Sequence, residues 1–332
     1  MLSWFGNVFG FDETDYPNTT QELNAIYNKE TNTINNFDIG NFHCMSIDDI
    51  RKLIADQSPN FVIGNTKCGH IVADVGALHK DIKYKNAMFQ VASQLNLLEF
   101  AGPNSTPEMG ITIYQNDRTQ GPICAMNCAA ATAYRNYLIP MKNGTIGQTA
   151  DNQINCMEDM EKYLSILSNK KEPYWTVKNG YIDSTSEKLT DLNKFLKNMD
   201  SVQLARFRSL LKVGIHFNTS VTSISEKRLV SQIFCSAASV SYSRCSSELW
   251  EPLARIILEG AYEATLLSGV LNNIINGKNT PIVLTQLGGG AFGNKNEWII
   301  DAIKRSLKIM EHYGLNVQIC HYGQIDKDYE CI

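Results

Sequence analysis

The chain has 332 residues, of which 43% are hydrophobic and 19% charged, the composition of a soluble globular protein able to bury a sizeable core. Its formal net charge of −4 argues against a protein built mainly on nucleic-acid backbone binding, which carries a basic excess, and no window is apolar over the length that spans a bilayer. Nine cysteines, odd in number and irregular in spacing with no CxxC pair, fit reduced thiols better than a disulfide framework. The N-terminus carries Trp4, Phe5, Phe9 and Phe11 but no basic region ahead of an apolar run, so the expectation is a soluble, cytoplasmic protein.

In chain order, the polar, Asn- and Thr-rich stretch 12–36 is expected at the surface with one helix near 20–28. Ser46 caps a predicted helix over 47–57, with Asp48 and Asp49 in its first turn. Residues 61–64, 71–77 and 111–114 read as short strands. The spacing of Met88, Val91, Ala92, Leu95 and Leu98 predicts a helix over 86–99, and the Ala-rich run predicts another over 123–138. The middle, 144–212, carries polar-faced helices over 157–167 and 189–199, with an Asn179-Gly180 hairpin signal between them; it reads as an insertion. A long helix over 248–275, with Ser247 at its start, leads to Pro281-Ile282-Val283-Leu284-Thr285, an apolar run suited to a strand buried on both faces. A glycine-rich loop, a helix over 297–313 stopped by Gly314, and a strand over 315–319 complete the chain. This grammar predicts an α/β fold with a parallel or mixed sheet.

The loop Leu287-Gly288-Gly289-Gly290-Ala291-Phe292-Gly293-Asn294 carries the sharpest chemical signal. Glycines at the carboxyl end of a buried strand let the chain turn tightly and present successive backbone N–H groups to a ligand. The helix that follows adds the positive end of its dipole, so a diphosphate is the natural occupant. Gly288, Gly290 and Gly293 also spell G-x-G-x-x-G, the dinucleotide-binding fingerprint. That reading needs several further βα units, and only 39 residues follow Gly293. A nicotinamide oxidoreductase is therefore set aside in favour of a phosphate cradle near the C-terminus.

Strand, then Gly290-x-Phe292-Gly293, then helix and a last strand resembles the second ligand loop of the macrodomain family. Upstream, Gln94-x-Asn96-x-Leu98-Glu99, Thr106-Pro107-Glu108-x-Gly110, Asp117-Arg118-Thr119-Gln120-Gly121-Pro122 and Tyr134-Arg135-Asn136-Tyr137 are similar to a divergent macrodomain group. That group includes a bacterial effector that removes ADP-ribose from arginine of ubiquitin. The resemblance covers scattered blocks from Phe61 onward, and the usual early Asn-Ala-Ala-Asn strand end is missing.

The resemblance implies a three-layer α/β/α fold with a mixed central sheet and helical additions. Residues 1–60 would be an N-terminal extension and 61–332 the ADP-ribose-binding domain. It implies that Gly288, Gly289, Gly290, Ala291, Phe292, Gly293 and Asn294 hold the diphosphate, with Phe292 beside the distal ribose. It places hydrolytic carboxylates in this region, carried by position to Asp117 first, then Glu99, then Glu108. Cleaving a ribosyl bond passes through an oxocarbenium-like centre, where one carboxylate orients a water or hydroxyl and a second assists. Asn96, Thr119, Gln120 and Gly121 are candidate ligand contacts, although Thr119 also suits a helix cap.

His43, His70, His79, His216, His312 and His321 show no metal-ligand spacing, so neither a metal nor another cofactor is expected. The function expected is an ADP-ribosyl hydrolase acting on modified protein, with arginine linkage and ubiquitin implied only by resemblance. The alternative is a reader that binds ADP-ribose without cleaving it.

Overall fold

A computed structural model describes residues 2–57 and 64–332. The chain opens with helices α1 (Trp4–Phe9) and α2 (Tyr16–Ile26) and a small sheet of β1 (Tyr27–Asn28), β2 (Thr33–Ile34) and β3 (Phe37–Asp38). The strands that follow are β4 (Asn41–Ser46), β5 (Lys67–Val72), β6 (Met88–Ala92), the hairpin pair β7 (Thr176–Lys178) and β8 (Tyr181–Asp183), β9 (Lys212–Ser220), β10 (Leu229–Cys235), β11 (Pro281–Leu284) and β12 (Asn316–His321). The principal helices are α3 (Ile47–Asp56), α4 (Val75–Lys80), α5 (Gln120–Asn127), α6 (Ala129–Ala133), α7 (Glu158–Ser168), α8 (Ser186–Asn198), α9 (Ser201–Ser209), α10 (Ser247–Asn276) and α11 (Asn296–Ile309).

Seven strands form one mixed sheet in the order β4-β9-β10-β6-β11-β12-β5. From β10 to β5 every pairing is parallel, while β9 runs antiparallel to both β10 and β4. Side chains alternate across it as the two-residue period requires. Phe89 stacks on His79 of α4 at 3.9 Å between ring centres, whereas Gln90 donates to the Thr265 hydroxyl of α10 at 2.8 Å. Ser231 reaches Asn272 of α10, and its neighbour Gln232 donates to the carbonyl of Cys124 in α5. Helices therefore cover both faces, and the architecture is α/β/α as expected.

The stretch 86–99 is the main departure from the sequence reading: it holds strand β6 and a tight buried loop, not a helix. Met88, Phe89 and Val91 are wholly buried at the sheet centre, so an apolar run covered on both faces imitates helical spacing. Residues 71–77 span the end of β5 and the start of α4, whose first turn Asp74 caps through the Ala77 N–H. Residues 112–114 fall in the 3-10 helix Thr112–Asn116, with Ile111 as its N-cap. The helix expected over 123–138 starts at Gln120, breaks at Cys128 (φ −123°, ψ 60°) and ends in a π turn, Tyr134–Leu138. Residues 61–63 of the strand expected at 61–64 lie outside the described residues.

Residues 2–57 pack into the fold. Strand β4 pairs with β9 along its full length, and Phe5, Phe9 and Leu23 share a second core with Phe100, Tyr114 and Tyr137. Glu13 accepts from the N–H groups of Ile111 and Thr112 at 2.8 and 2.7 Å and so anchors the turn that leads to Asp117. The stretch 144–212 is likewise part of the main core, through Trp175, Leu189 and Leu192. Its hairpin turns at Asn179 and Gly180, both at positive φ (49° and 77°), as the Asn-Gly signal predicts.

Candidate functional site

Strands β6 and β11 pair only at Met88–Ile282 and Phe89–Val283 and then diverge. Beyond that point Gln120 takes the place of a neighbouring strand. Its side-chain oxygen accepts from the Ala92 N–H at 2.8 Å, and its amide nitrogen donates to the Gln90 carbonyl at 2.7 Å. The divergence opens a crevice at the carboxyl ends of the parallel strands, where ligands of open α/β sheets bind. A cavity of about 550 Å³ occupies it, with Asp74, Arg118, Thr119, Gln120, Thr285, Gln286 and Tyr322 in its walls.

The glycine loop follows β11 directly beside this cavity. It is held from within: Asn294 N–H donates to the Gly288 carbonyl at 2.9 Å, Gly289 N–H to Gln286 at 3.1 Å and Gly293 N–H to Gly290 at 3.0 Å. It is also laced to the segment after β10, with the Asn294 amide donating to the Ala238 carbonyl at 2.8 Å and Ser241 N–H to the Phe292 carbonyl at 3.0 Å. The N–H groups of Gly290, Ala291 and Phe292 have no protein acceptor among the described residues. Gly289, Gly290 and Ala291 are exposed, and α11 starts at Asn296. Successive free N–H groups ahead of a helix N-terminus form an anion cradle.

The three glycines of the fingerprint differ in why they are glycine. Gly288 and Gly293 have φ of 76° and 71°, and a Cβ would lie 2.4 Å from Ala237 Cβ in one and 1.9 Å from Ser241 Oγ in the other. Gly290 has ordinary φ, and its Cβ would meet nothing within 4 Å. Gly293→Ala should therefore destabilise the fold by about 1–3 kcal/mol, and Gly290→Ala should leave the melting temperature unchanged. Equal melting temperatures for the two variants would contradict this division.

Phe292 belongs to an aromatic cluster drawn from three parts of the chain. Its ring centre lies 5.3 Å from Tyr181 of β8 and 5.8 Å from Tyr242 after β10, and those two tyrosines are 4.9 Å apart. The Tyr181 hydroxyl donates to the Phe100 carbonyl at 2.8 Å and accepts from Gly102 N–H at 2.6 Å. Burial pushes this phenol up.

The expected acids part company. Asp117 is half-buried at the start of the turn into α5, with one carboxylate oxygen accepting from Thr119 N–H at 2.8 Å. Thr119 sits at the N-cap of α5 without a side-chain capping bond, so its hydroxyl is left for the cavity it lines. Gly121 lies against the strand end, where a Cβ would come 2.0 Å from the Ala92 carbonyl oxygen. Glu108 is exposed but turned away, accepting from Ala150 N–H at 2.8 Å.

Glu99 and Asn96, expected at the ligand, are interior residues. The Glu99 side chain is 0% exposed and ion-paired with Arg135 Nη2 at 3.1 Å. Burial pushes its carboxyl up to about 7, against the opposing pull of Arg135. Arg135 in turn donates from Nε to the Leu97 carbonyl at 2.8 Å and lies 3.6 Å over the Phe234 ring. Leu97 has φ of 65°, a strained conformation for leucine, held by that bond and by contact with Gly214. Asn96 is committed to Gln153 and to the Leu98 N–H. These residues shape the loop after β6 from beneath.

The sequence reading gave no role to Tyr181, Tyr242, Tyr322, Asp74, Arg118 or Gln286. The Asn-Gly turn placed Tyr181 in a hairpin but not beside Phe292, since that contact joins residues 111 positions apart. Asp74 went unnoticed because 71–77 read as a single strand. Among the described residues no cluster of three or more His, Cys, Asp or Glu side chains has metal-binding geometry. No described helix is long and apolar enough to cross a membrane.

No family model and no curated protein matches this sequence. Among solved structures, the chain is similar to the poly(ADP-ribose) glycohydrolase of Deinococcus radiodurans in apo form, with 9% identity, 92% of this chain and 91% of that one covered, and a TM-score of 0.43. The same enzyme in complex with ADP-ribose gives 8% identity, coverage of 87% and 90%, and a TM-score of 0.43. The Thermomonospora curvata poly(ADP-ribose) glycohydrolase bound to the inhibitor ADP-HPD gives 8%, coverage of 86% and 81%, and 0.41. At scores this low the likeness carries no argument, and the functional reading rests on the site.

Proposed function

We propose that this protein is an ADP-ribosyl hydrolase of macrodomain type that releases ADP-ribose from modified protein. The observation that carries the reading is the row of unpaired N–H groups at Gly290, Ala291 and Phe292. It lies at the mouth of a crevice whose other side is the turn bearing Asp117. A diphosphate on those N–H groups directs one nucleoside end into the 550 Å³ cavity, where the exposed Tyr322 ring offers a stacking face and Asp74 an acceptor. The other ribose then lies against Phe292 and Tyr242, facing the Asp117 turn.

At that ribose the anomeric carbon gains positive character as the bond to the modified residue lengthens. The Asp117 carboxylate orients a water and takes up its proton as the water oxygen bonds to that carbon. The departing atom of the modified residue keeps the bonding pair and is protonated from solvent, and the glycine loop fixes the diphosphate and with it the sugar. Glu99 acts as a positioning residue, through Arg135 and Leu97. The resemblance described above extends the proposal to ADP-ribose on arginine, with ubiquitin as one such modified protein. A non-catalytic reader is the second reading. It is favoured by the commitment of Glu99 and Glu108 to protein partners, which leaves Asp117 as the one of the three expected acids without such a commitment to a distant residue.

Incubating the purified protein with arginine-, glutamate- and serine-linked mono-ADP-ribosylated proteins and measuring free ADP-ribose decides between them. The hydrolase reading predicts release, with arginine-linked substrate preferred. Binding of ADP-ribose without release from any of the three would establish the reader.

A further inference from the structure

The crevice contains a polar side chain whose orientation is fixed from behind. Gln286 stands two residues past β11, half-buried, in the wall of the 550 Å³ cavity. Its amide nitrogen is 3.2 Å from Nδ1 of His321, the last residue of β12. His321 is 2% exposed and lies against Tyr329, with 5.5 Å between ring centres. On its other side His321 Nε2 is 3.0 Å from Nδ1 of His70 on β5.

Which ring nitrogen carries the proton, and which end an amide turns to it, follow from their partners. The partner that cannot reverse is a backbone group: Asp326 N–H donates to His321 Nδ1 at 3.4 Å. Nδ1 is therefore the acceptor nitrogen of a neutral ring. The ring proton sits on Nε2 and is donated to His70 Nδ1. Burial and His70 hold His321 below the usual histidine range, against the pull of Asp326, so the ring is neutral at pH 8. An acceptor at Nδ1 takes only the NH2 end of Gln286. The amide oxygen is then the free end, and it has no hydrogen-bond partner among the described residues.

We propose that Gln286 is a specificity-determining residue that reads the base of the bound nucleotide through its amide oxygen, selecting adenine over hypoxanthine, with His321 as its positioning residue. The proposal rests on the ADP-ribose reading and goes beyond it in naming the base edge and the group that reads it. The exocyclic amino group of adenine donates to the oxygen. Hypoxanthine carries a carbonyl there, which sets two acceptors against each other and leaves both unpaired. A glutamine free to turn would offer either end and select neither base; His70, His321 and Asp326 remove that freedom. Asp74 stands in the same wall, but one of its oxygens already accepts from Ala77 N–H at 2.9 Å.

Calorimetric titration of the full chain at pH 8 with ADP-ribose and with its hypoxanthine analogue, inosine diphosphate ribose, tests this. The wild type should bind ADP-ribose about 10-fold or more tightly than the analogue. In Gln286→Met, a side chain of similar length without the amide, the two affinities should become equal. His321→Phe should lose the preference in the same way with Gln286 still in place, which a packing role for the imidazole would not produce. Because His321 is buried and its replacement risks the fold, the half-buried Gln286→Met is the deciding arm. Equal affinities in the wild type would overturn the proposal while leaving the ADP-ribose reading intact. A preference undiminished in Gln286→Met would do the same and make Asp74 the reader. Binding of neither ligand by the wild type would overturn both.

Discussion

Replacing Asp117 with asparagine is expected to lower ADP-ribose release about 10²–10⁴-fold while leaving ADP-ribose affinity and melting temperature near wild type. The side-chain oxygen of asparagine still accepts from the Thr119 N–H, now found at 2.8 Å, so the turn into α5 keeps its local bond. What is lost is the negative charge and the ability to take a proton. Alanine removes the local bond as well and should cost about 1 kcal/mol of stability in addition. Glu108→Gln should be nearly silent in turnover, because that side chain is spent on Ala150 N–H outside the crevice. The assignment fails if Asp117→Asn retains the wild-type rate, or if Glu108→Gln loses as much as Asp117→Asn.

Arg135→Met should destabilise the protein by about 3–5 kcal/mol at pH 8, through a mechanism separate from ligand contact. Both partners of the Arg135–Glu99 pair are 0% exposed, so the substitution leaves a buried carboxyl with no cation and frees the Leu97 carbonyl. The cost should depend on pH. Glu99 holds its proton in the folded chain up to about 7, against 4.5 for the free group. A group raised in this way contributes stability that is fully present below pH 4.5 and is lost as pH rises toward 7. Near pH 5 the carboxyl is neutral with or without Arg135, so the penalty should shrink there. Denaturant melts of both forms at pH 5 and pH 8 read this directly. A penalty independent of pH would mean that Arg135 acts through packing on Phe234 alone.

The C-terminal third was the most legible part of the chain, because helix α10, strand β11, helix α11 and strand β12 each carry a local signature. Pro281 to Leu284 is uniformly apolar, Gly277 closes α10 at positive φ, and the elements run on with short connections, although α11 ends at Ile309 with Met310 as its cap, before the expected stop at Gly314. The glycine loop could be placed for the same reason. Strand β6 could not, since Met88, Phe89 and Val91 are buried by long-range partners and their spacing alone suits a helix. Strands β9 and β10 went unread because His216, Ser231 and Gln232 break the apolar run. Each is a buried polar residue whose partner, Ile39, Asn272 or Cys124, is far away in sequence. The same holds at the site. Acids could be located by their neighbours, but only the fold separates Asp117, on the turn whose Arg118 and Thr119 line the crevice, from Glu99 locked on Arg135.

Titration of the purified protein with ADP-ribose by calorimetry, repeated with Gly290→Glu, tests the central claim most directly. A side chain at Gly290 meets no protein atom within 4 Å of its Cβ, so the variant should melt with the wild type. Its carboxylate nevertheless projects from the middle of the N–H row that is to hold the diphosphate. Saturable heat from the wild type and none from the equally stable variant is the predicted result. Absence of heat from the wild type, or binding undiminished by the glutamate, would contradict an ADP-ribose site on this loop.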